Sequence, residues 1–175
     1  MTTTEDTGDT ATGTWMPREE WIRTQPQALV ASCVLVLDRR DRLLLLRYGP
    51  NQPDHGRWWL PGGMLDHGED PSTAACRELD EETGIRLDAA PRLIGIDHRA
   101  DVCGTGPVLD CYFYGGIRED LHLVRLSSEH DGHGLFAPDE LGDAPLAPSH
   151  AATLRVLHAA AVSGSVACLR EGRPV

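Results

Sequence analysis

The sequence predicts a layered domain of mixed β-sheet and helices, α/β or α+β in class, and three observations carry that reading. Two apolar runs of strand length, residues 28–37 and 43–48, flank the turn-forming residues 38–42. A helix-forming segment between Asp70 and Gly84 has no Gly or Pro after Pro71. Further strand-like segments and a terminal amphipathic stretch follow, so strands lie on both sides of the helix in sequence. At 175 residues one domain is expected, long enough to bury roughly two-thirds of its unfolded surface.

Taken in order, residues 1–14 are mostly Thr, Asp, Gly and Glu, too polar to bury a core, and read as a disordered tail. Residues 15–27 form an extension in which Pro17 to Ile22 suits a short helix docked through Trp21 and Ile22 and broken at Pro26. The domain proper spans 28–162. Val30, Cys33, Val34, Leu35, Val36 and Leu37 make a continuous buried strand. Residues 43–48 are a second strand by length and hairpin context, although leucine alone favours helix. Residues 49–57, rich in Pro, Asn, Asp and Gly, are a loop that would wall a substrate pocket. Trp59-Leu60-Pro61-Gly62 then reads as strand and turn. Asp70 caps the following helix, Pro71 suits its first position, and Gly84 stands where a left-handed cap is wanted.

Beyond the helix, residues 92–98 alternate as a strand and 101–107 form a Gly-containing loop. Residues 108–117, with Tyr112, Phe113 and Tyr114, carry the strongest β signal of the second half. Residues 121–126 alternate Leu, Val and Leu with His122 and Arg125, predicting a partner strand. Leu154, Leu157 and Ala161 lie at helical spacing within 148–162, and 163–175 reads as a C-terminal tail. There is no internal repeat.

The net charge of −11 argues against a partner that is a nucleic-acid polymer, because nonspecific binders display basic stripes. No apolar stretch of about 18 residues and no leader pattern stands out, so neither a membrane span nor a signal peptide is expected. The five cysteines are scattered without a C-x-x-C pair, which fits reduced thiols and a cytoplasmic location, with Cys33, Cys76 and Cys111 in apolar patterns.

The chemistry concentrates in Gly63-Met-Leu-Asp-His-Gly-Glu69 and, seven residues on, Arg77-Glu78-Leu79-Asp80-Glu81-Glu82-Thr83-Gly84-Ile85. On a helix Glu78 and Glu82 nearly eclipse and Glu81 lies three residues from Glu78, so three carboxylates converge. Such like-charge pairs cost an isolated helix a few tenths of a kcal/mol each. A hard divalent cation, Mg²⁺ or alternatively Mn²⁺, reverses that sign. The plainer reading is a solvated acidic face partly neutralised by Arg77.

Gly63, Glu69, Arg77 and Gly84 decide against that plainer reading. The spacing G-x5-E-x7-R-E-U-x-E-E-x-G-U, with U aliphatic, is matched at all nine specified positions from Gly63 to Ile85, and on it the chain resembles the Nudix hydrolases. The resemblance extends from about residue 28 to about residue 160, taking in the lead-in Trp59 to Gly62 and the downstream Phe136-Ala-Pro-Asp-Glu140-Leu141. It implies the Nudix fold, a mixed β-sheet sandwiched between α-helices. It also implies metal held by Glu78, Glu81 and Glu82, with Gly63 letting its backbone carbonyl approach. Glu69 and Arg77 would brace the loop against the helix, and Gly84 would end the helix.

The implied reaction is metal-assisted cleavage of a nucleoside diphosphate linked to another moiety, X, giving a nucleoside monophosphate and phosphorylated X. The catalytic candidates are Glu78, Glu82 and Glu129. For the proton acceptor, Glu78 stands beside Glu129, a downstream loop acid; His130, Asp131, His133, Asp139 and Glu140 are weaker candidates. Trp58, Trp59, Tyr112 and Tyr114 are candidates to stack on a base, and Arg47, His55, Arg57, His98 and Arg99 to meet phosphates. Signatures of ADP-ribose and diadenosine enzymes are absent, Asp101 and Cys103 standing where their Pro and Tyr would be. The alternative is a catalytically silent domain that senses a nucleotide or scaffolds a partner. Pairing of two copies through the N-terminal helix and first strand is a further expectation.

Overall fold

The computed structural model describes residues 15–146 and 148–175; the expected disordered tail, 1–14, lies outside them. The order is α1 (Arg18–Thr24), β1 (Leu29–Leu37), β2 (Leu43–Tyr48), β3 (Trp58–Trp59), β4 (Gly62–Met64), α2 (Pro71–Thr83), β5 (Arg92–Arg99), β6 (Val108–Ile117), β7 (His130–Phe136), α3 (Pro148–Ser163), β8 (Ala167–Arg170) and β9 (Arg173–Pro174). Short 3-10 turns occupy Leu121–Leu123 and Glu140–Gly142.

The nine strands form one mixed sheet in the order β3-β2-β1-β6-β5-β8-β9, with β4 added to β1 and β7 to β2. Pairings β1–β6 and β5–β8 are parallel and the others antiparallel. The apolar run of β1, interrupted only by the buried Ser32, follows from burial on both faces, as strands covered on both sides require. Leu35 and Leu37 share a core with Leu154 and Leu157 of α3. Val34 and Val36, pointing the other way, share one with Ala75 and Leu79 of α2. The sheet is therefore the middle layer of a helix–sheet–helix sandwich. No described helix is long and apolar enough to cross a membrane.

Three expectations are corrected. Residues 121–126 are not a strand: Leu121 is buried against the α2-side core, but Leu123 is exposed and the backbone is a 3-10 turn. The strand comes later, at β7, which pairs with β2 from Leu43↔Phe136 to Tyr48↔His130. Its sequence, HDGHGLF, has neither alternation nor β-branched residues, so β2 imposes its form. The C-terminal tail carries β8 and β9, which extend the sheet beyond β5. Finally, α1 forms, but Trp21 and Ile22 stay 49% and 47% exposed and belong to neither core.

Candidate active site

Local signals fix α2 where the acids need it. The Asp70 side chain accepts hydrogen bonds from Ser72 N at 2.9 Å and Thr73 N at 3.1 Å, and Gly84 closes the helix at φ 71°. The helix buries Ala74, Ala75 and Leu79, and on that same side Glu82, only 4% exposed. Alanines let the helix approach the sheet closely, which places Glu82 beside β4. There its Oε2 accepts a hydrogen bond from Gly62 N at 2.9 Å, and its Oε1 lies 3.7 Å from His130 Nε2.

Gly63 sits against Glu78. A Cβ at Gly63 would stand 2.5 Å from Glu78 Oε1, inside any allowed contact. Arg77 is the hub: Nε and Nη2 donate to the two oxygens of Glu69 at 3.0 Å each, and Nη2 also reaches the Met64 carbonyl at 3.1 Å. Its Nη1 donates to Glu78 at 2.8 Å and Glu81 at 3.1 Å. The loop before α2 is thus tied to the helix through one guanidinium.

One arginine does not neutralise this group. Burial, followed by the charges of Glu78, Glu129 and Glu81, pushes the Glu82 carboxyl up to about 8, against the pull of the Gly62 N–H. Burial likewise raises Glu78, with Arg77 opposing it. Among the described residues no three His, Cys, Asp or Glu side chains stand together as a finished metal cluster. The donor set nevertheless fits a hard divalent ion: carboxylate oxygens carrying excess negative charge, beside a glycine at which no side chain intrudes. Glu129 is exposed on the turn before β7, and its charge reaches Glu78 and Glu82. Its carbonyl accepts from Gly49 N at 2.8 Å, tying the 49–57 loop to this turn.

The weaker candidates divide. His130 is buried, stacked on Tyr48 at 5.2 Å, and faces Glu82. Asp131 is engaged by Arg47 at 2.6 Å, and Glu140 accepts from Ala137 N in the 3-10 turn.

A cavity of about 300 Å³ opens beside Gly62, Gly63 and Met64, walled by the 49–57 and 101–107 loops. Trp59, Arg57 and Arg99 line it, whereas Trp58 packs edge-on to Phe136 and Tyr112 is fully buried. Arg47, His55, His98 and Tyr114 are not part of its lining. Sequence reasoning missed Asp110, Cys33 and His150 there. Asp110 had one signal, a charge in the strongest β segment at an inward position; the others had none.

Comparison with known proteins bears on the family and the fold. The family profile described as NUDIX domain matches residues 26–157. A MutT-like protein of Streptomyces ambofaciens is 35% identical over 121 residues, 69% of this chain and 71% of that protein. An RNA pyrophosphohydrolase of Rhizobium meliloti is 51% identical over 53 residues, 28% of this chain and 32% of that protein, so the match spans only about a third of that relative. The crystal structure of a MutT NUDIX hydrolase from Burkholderia pseudomallei has a TM-score of 0.62 at 26% identity, over 77% of this chain and 98% of that one.

Proposed function

Because the chain belongs to the NUDIX family and is a hydrolase of phosphorus-containing acid anhydrides, we propose that it cleaves a nucleoside diphosphate linked to a moiety X, with Mg²⁺ or Mn²⁺, into a nucleoside monophosphate and phosphorylated X. The observation that carries this reading is the acidic face of α2, on which Arg77 holds Glu78 and Glu81 while the buried Glu82 is bonded to Gly62 N, next to the cavity that Gly62 and Gly63 line. The relative named an RNA pyrophosphohydrolase supports cleavage of a phosphoanhydride.

Glu78, Glu81, Glu82 and the Gly63 carbonyl would hold the ion. Once bound, it supplies charge neutralisation on the diphosphate and lowers the pKa of a water. The chain's own contribution is placement and proton handling. Arg77 and Glu69 keep the 63–69 loop against α2, so the Gly63 backbone stays in line with Glu78. Glu78 or Glu129 accepts the proton of the attacking water, both being acids within electrostatic reach of the buried Glu82. Gly62 N–H fixes the Glu82 carboxylate from behind.

A panel of nucleoside diphosphate derivatives with Mg²⁺, scored by product identity, tests the reading. Release of nucleoside monophosphate is expected. Nucleotide binding without turnover in either Mg²⁺ or Mn²⁺ would sink it in favour of a silent sensor.

A further inference from the structure

A second charged group, on β5 and β6, takes no part in the hydrolysis just described. Asp97 and Asp110 are directly paired across the antiparallel β5–β6 ladder, a like-charge placement that destabilises a sheet. Arg99, two residues on and so on the face of Asp97, lies between them. Its Nε is 3.2 Å from Asp97 Oδ2 and 2.7 Å from Asp110 Oδ2. Its Nη2 donates to the Tyr112 hydroxyl at 3.3 Å, which donates to Asp110 Oδ2 at 3.2 Å. Asp97, 0% exposed, also accepts from Gly172 N at 2.9 Å, in the turn between β8 and β9.

This cluster differs from a sealed structural pair in where it ends. Arg99 and Asp110 both line the cavity beside Gly63, and the Asp110 side chain keeps 13% of its exposure. Trp59 forms a wall, with the Arg99 guanidinium 5.8 Å from its ring centroid. One guanidinium serves two carboxylates, leaving a surplus of negative charge. Such a floor repels phosphate and carboxylate groups and welcomes N–H donors, while an indole wall suits a flat ring. Asp110 Oδ2 already carries both Arg99 and Tyr112, so Oδ1 is the oxygen left to a ligand.

We propose that this cavity takes the nucleobase of the substrate and that Asp110 reads it by accepting a hydrogen bond from an amino group, selecting amino-bearing bases over their oxo counterparts. The orientation rests on the pyrophosphohydrolase reading, because Gly63 adjoins both the acidic helix and the cavity. An oxo group at the same place sets lone pairs against a carboxylate and leaves both unpaired. Arg99 and Asp97 are positioning residues: the Arg99 guanidinium holds the Asp110 carboxylate, Asp97 faces Arg99 from the other side, and the C-terminal turn at Gly172 holds Asp97.

The test is calorimetric titration of the whole chain, without divalent metal, with CMP against UMP and AMP against IMP, run to millimolar ligand. In at least one pair the amino member should bind about tenfold or more tightly, and Asp110→Asn should collapse that ratio towards one while thermal unfolding stays cooperative. The wild-type ratio stands as a test even if the variant does not fold. Equal binding within each pair, no binding of any of the four, or discrimination retained in Asp110→Asn overturns the proposal. Discrimination found in a protein that hydrolyses no diphosphate supports base reading by Asp110 and removes only the hydrolase reading beneath it.

Discussion

The acidic helix and the charged floor of the cavity solve the same problem, buried carboxylates around one arginine, by opposite routes. On α2 the group is nearly contiguous: Glu69, Arg77, Glu78, Glu81 and Glu82 lie within one loop and four helical turns, and Arg77 touches three of the acids. On the floor, Asp97, Arg99 and Asp110 come from two strands, and their support comes from Gly172 near the end of the chain. The first group keeps an exposed side, Glu81 being 60% exposed, so an ion and solvent can reach it. The second is closed except towards the cavity. A local cluster can be rebuilt by shifting one helix, whereas the non-local one is only as well placed as the sheet that carries it.

That contrast breaks most sharply under substitution. Glu82→Gln should cost about 10³-fold or more in turnover, roughly 4 kcal/mol, while the melting temperature holds or rises, because a poorly solvated carboxylate is removed; nucleoside monophosphate release and a thermal melt check both halves. Arg99→Met should do the reverse, destabilising the fold by about 3–5 kcal/mol, since it leaves Asp97 and Asp110 facing each other without a counter-charge. Urea denaturation reads that loss, and a change under 1 kcal/mol would mean the floor is less coupled to the sheet than its contacts indicate. Gly63→Ala should lower kcat by about 10²-fold with the fold intact, its Cβ displacing the Glu78 carboxylate.

The smallest effect concerns pH. Burial, then Arg99, pushes His150 down to about 4, and its Nδ1 is buried with no hydrogen-bond partner among the described residues. The unfolded chain therefore binds this proton more readily than the folded one. Stability from His150 is complete above its ordinary value of 6.5 and drains away as pH falls from there towards about 4. Unfolding free energies at stepped pH should be flatter over that window in His150→Phe than in wild type.

What could be read in advance follows the same division. The helix was legible because its cap, first-turn proline and terminal glycine are local, and the spacing of its acids is a sequence quantity. Strands β1, β2, β5 and β6 were legible from apolar patterning and turn chemistry. β7 was not, since a segment of His, Asp and Gly becomes a strand only when β2 offers its edge. Nor were β8 and β9, whose short, half-exposed sequence gains strand form by adding to β5. The pairing of Asp97 with Asp110 is a fact of register between two strands, so nothing in either strand alone announces it. Arg99, read as a phosphate contact, is already occupied by two carboxylates for the same reason.

The hydrogen bond from Gly49 N to the Glu129 carbonyl has a mechanical meaning. A Cβ on Gly49 would come within 3.0 Å of that oxygen, so the two backbones touch with nothing between them. The loop that walls the cavity with Asp54 and Arg57 and the turn that carries Glu129 are joined there like two arms of a lever. The position of the cavity wall and that of the Glu129 turn are therefore set by one shared backbone contact, and any side chain at residue 49 would push the two apart.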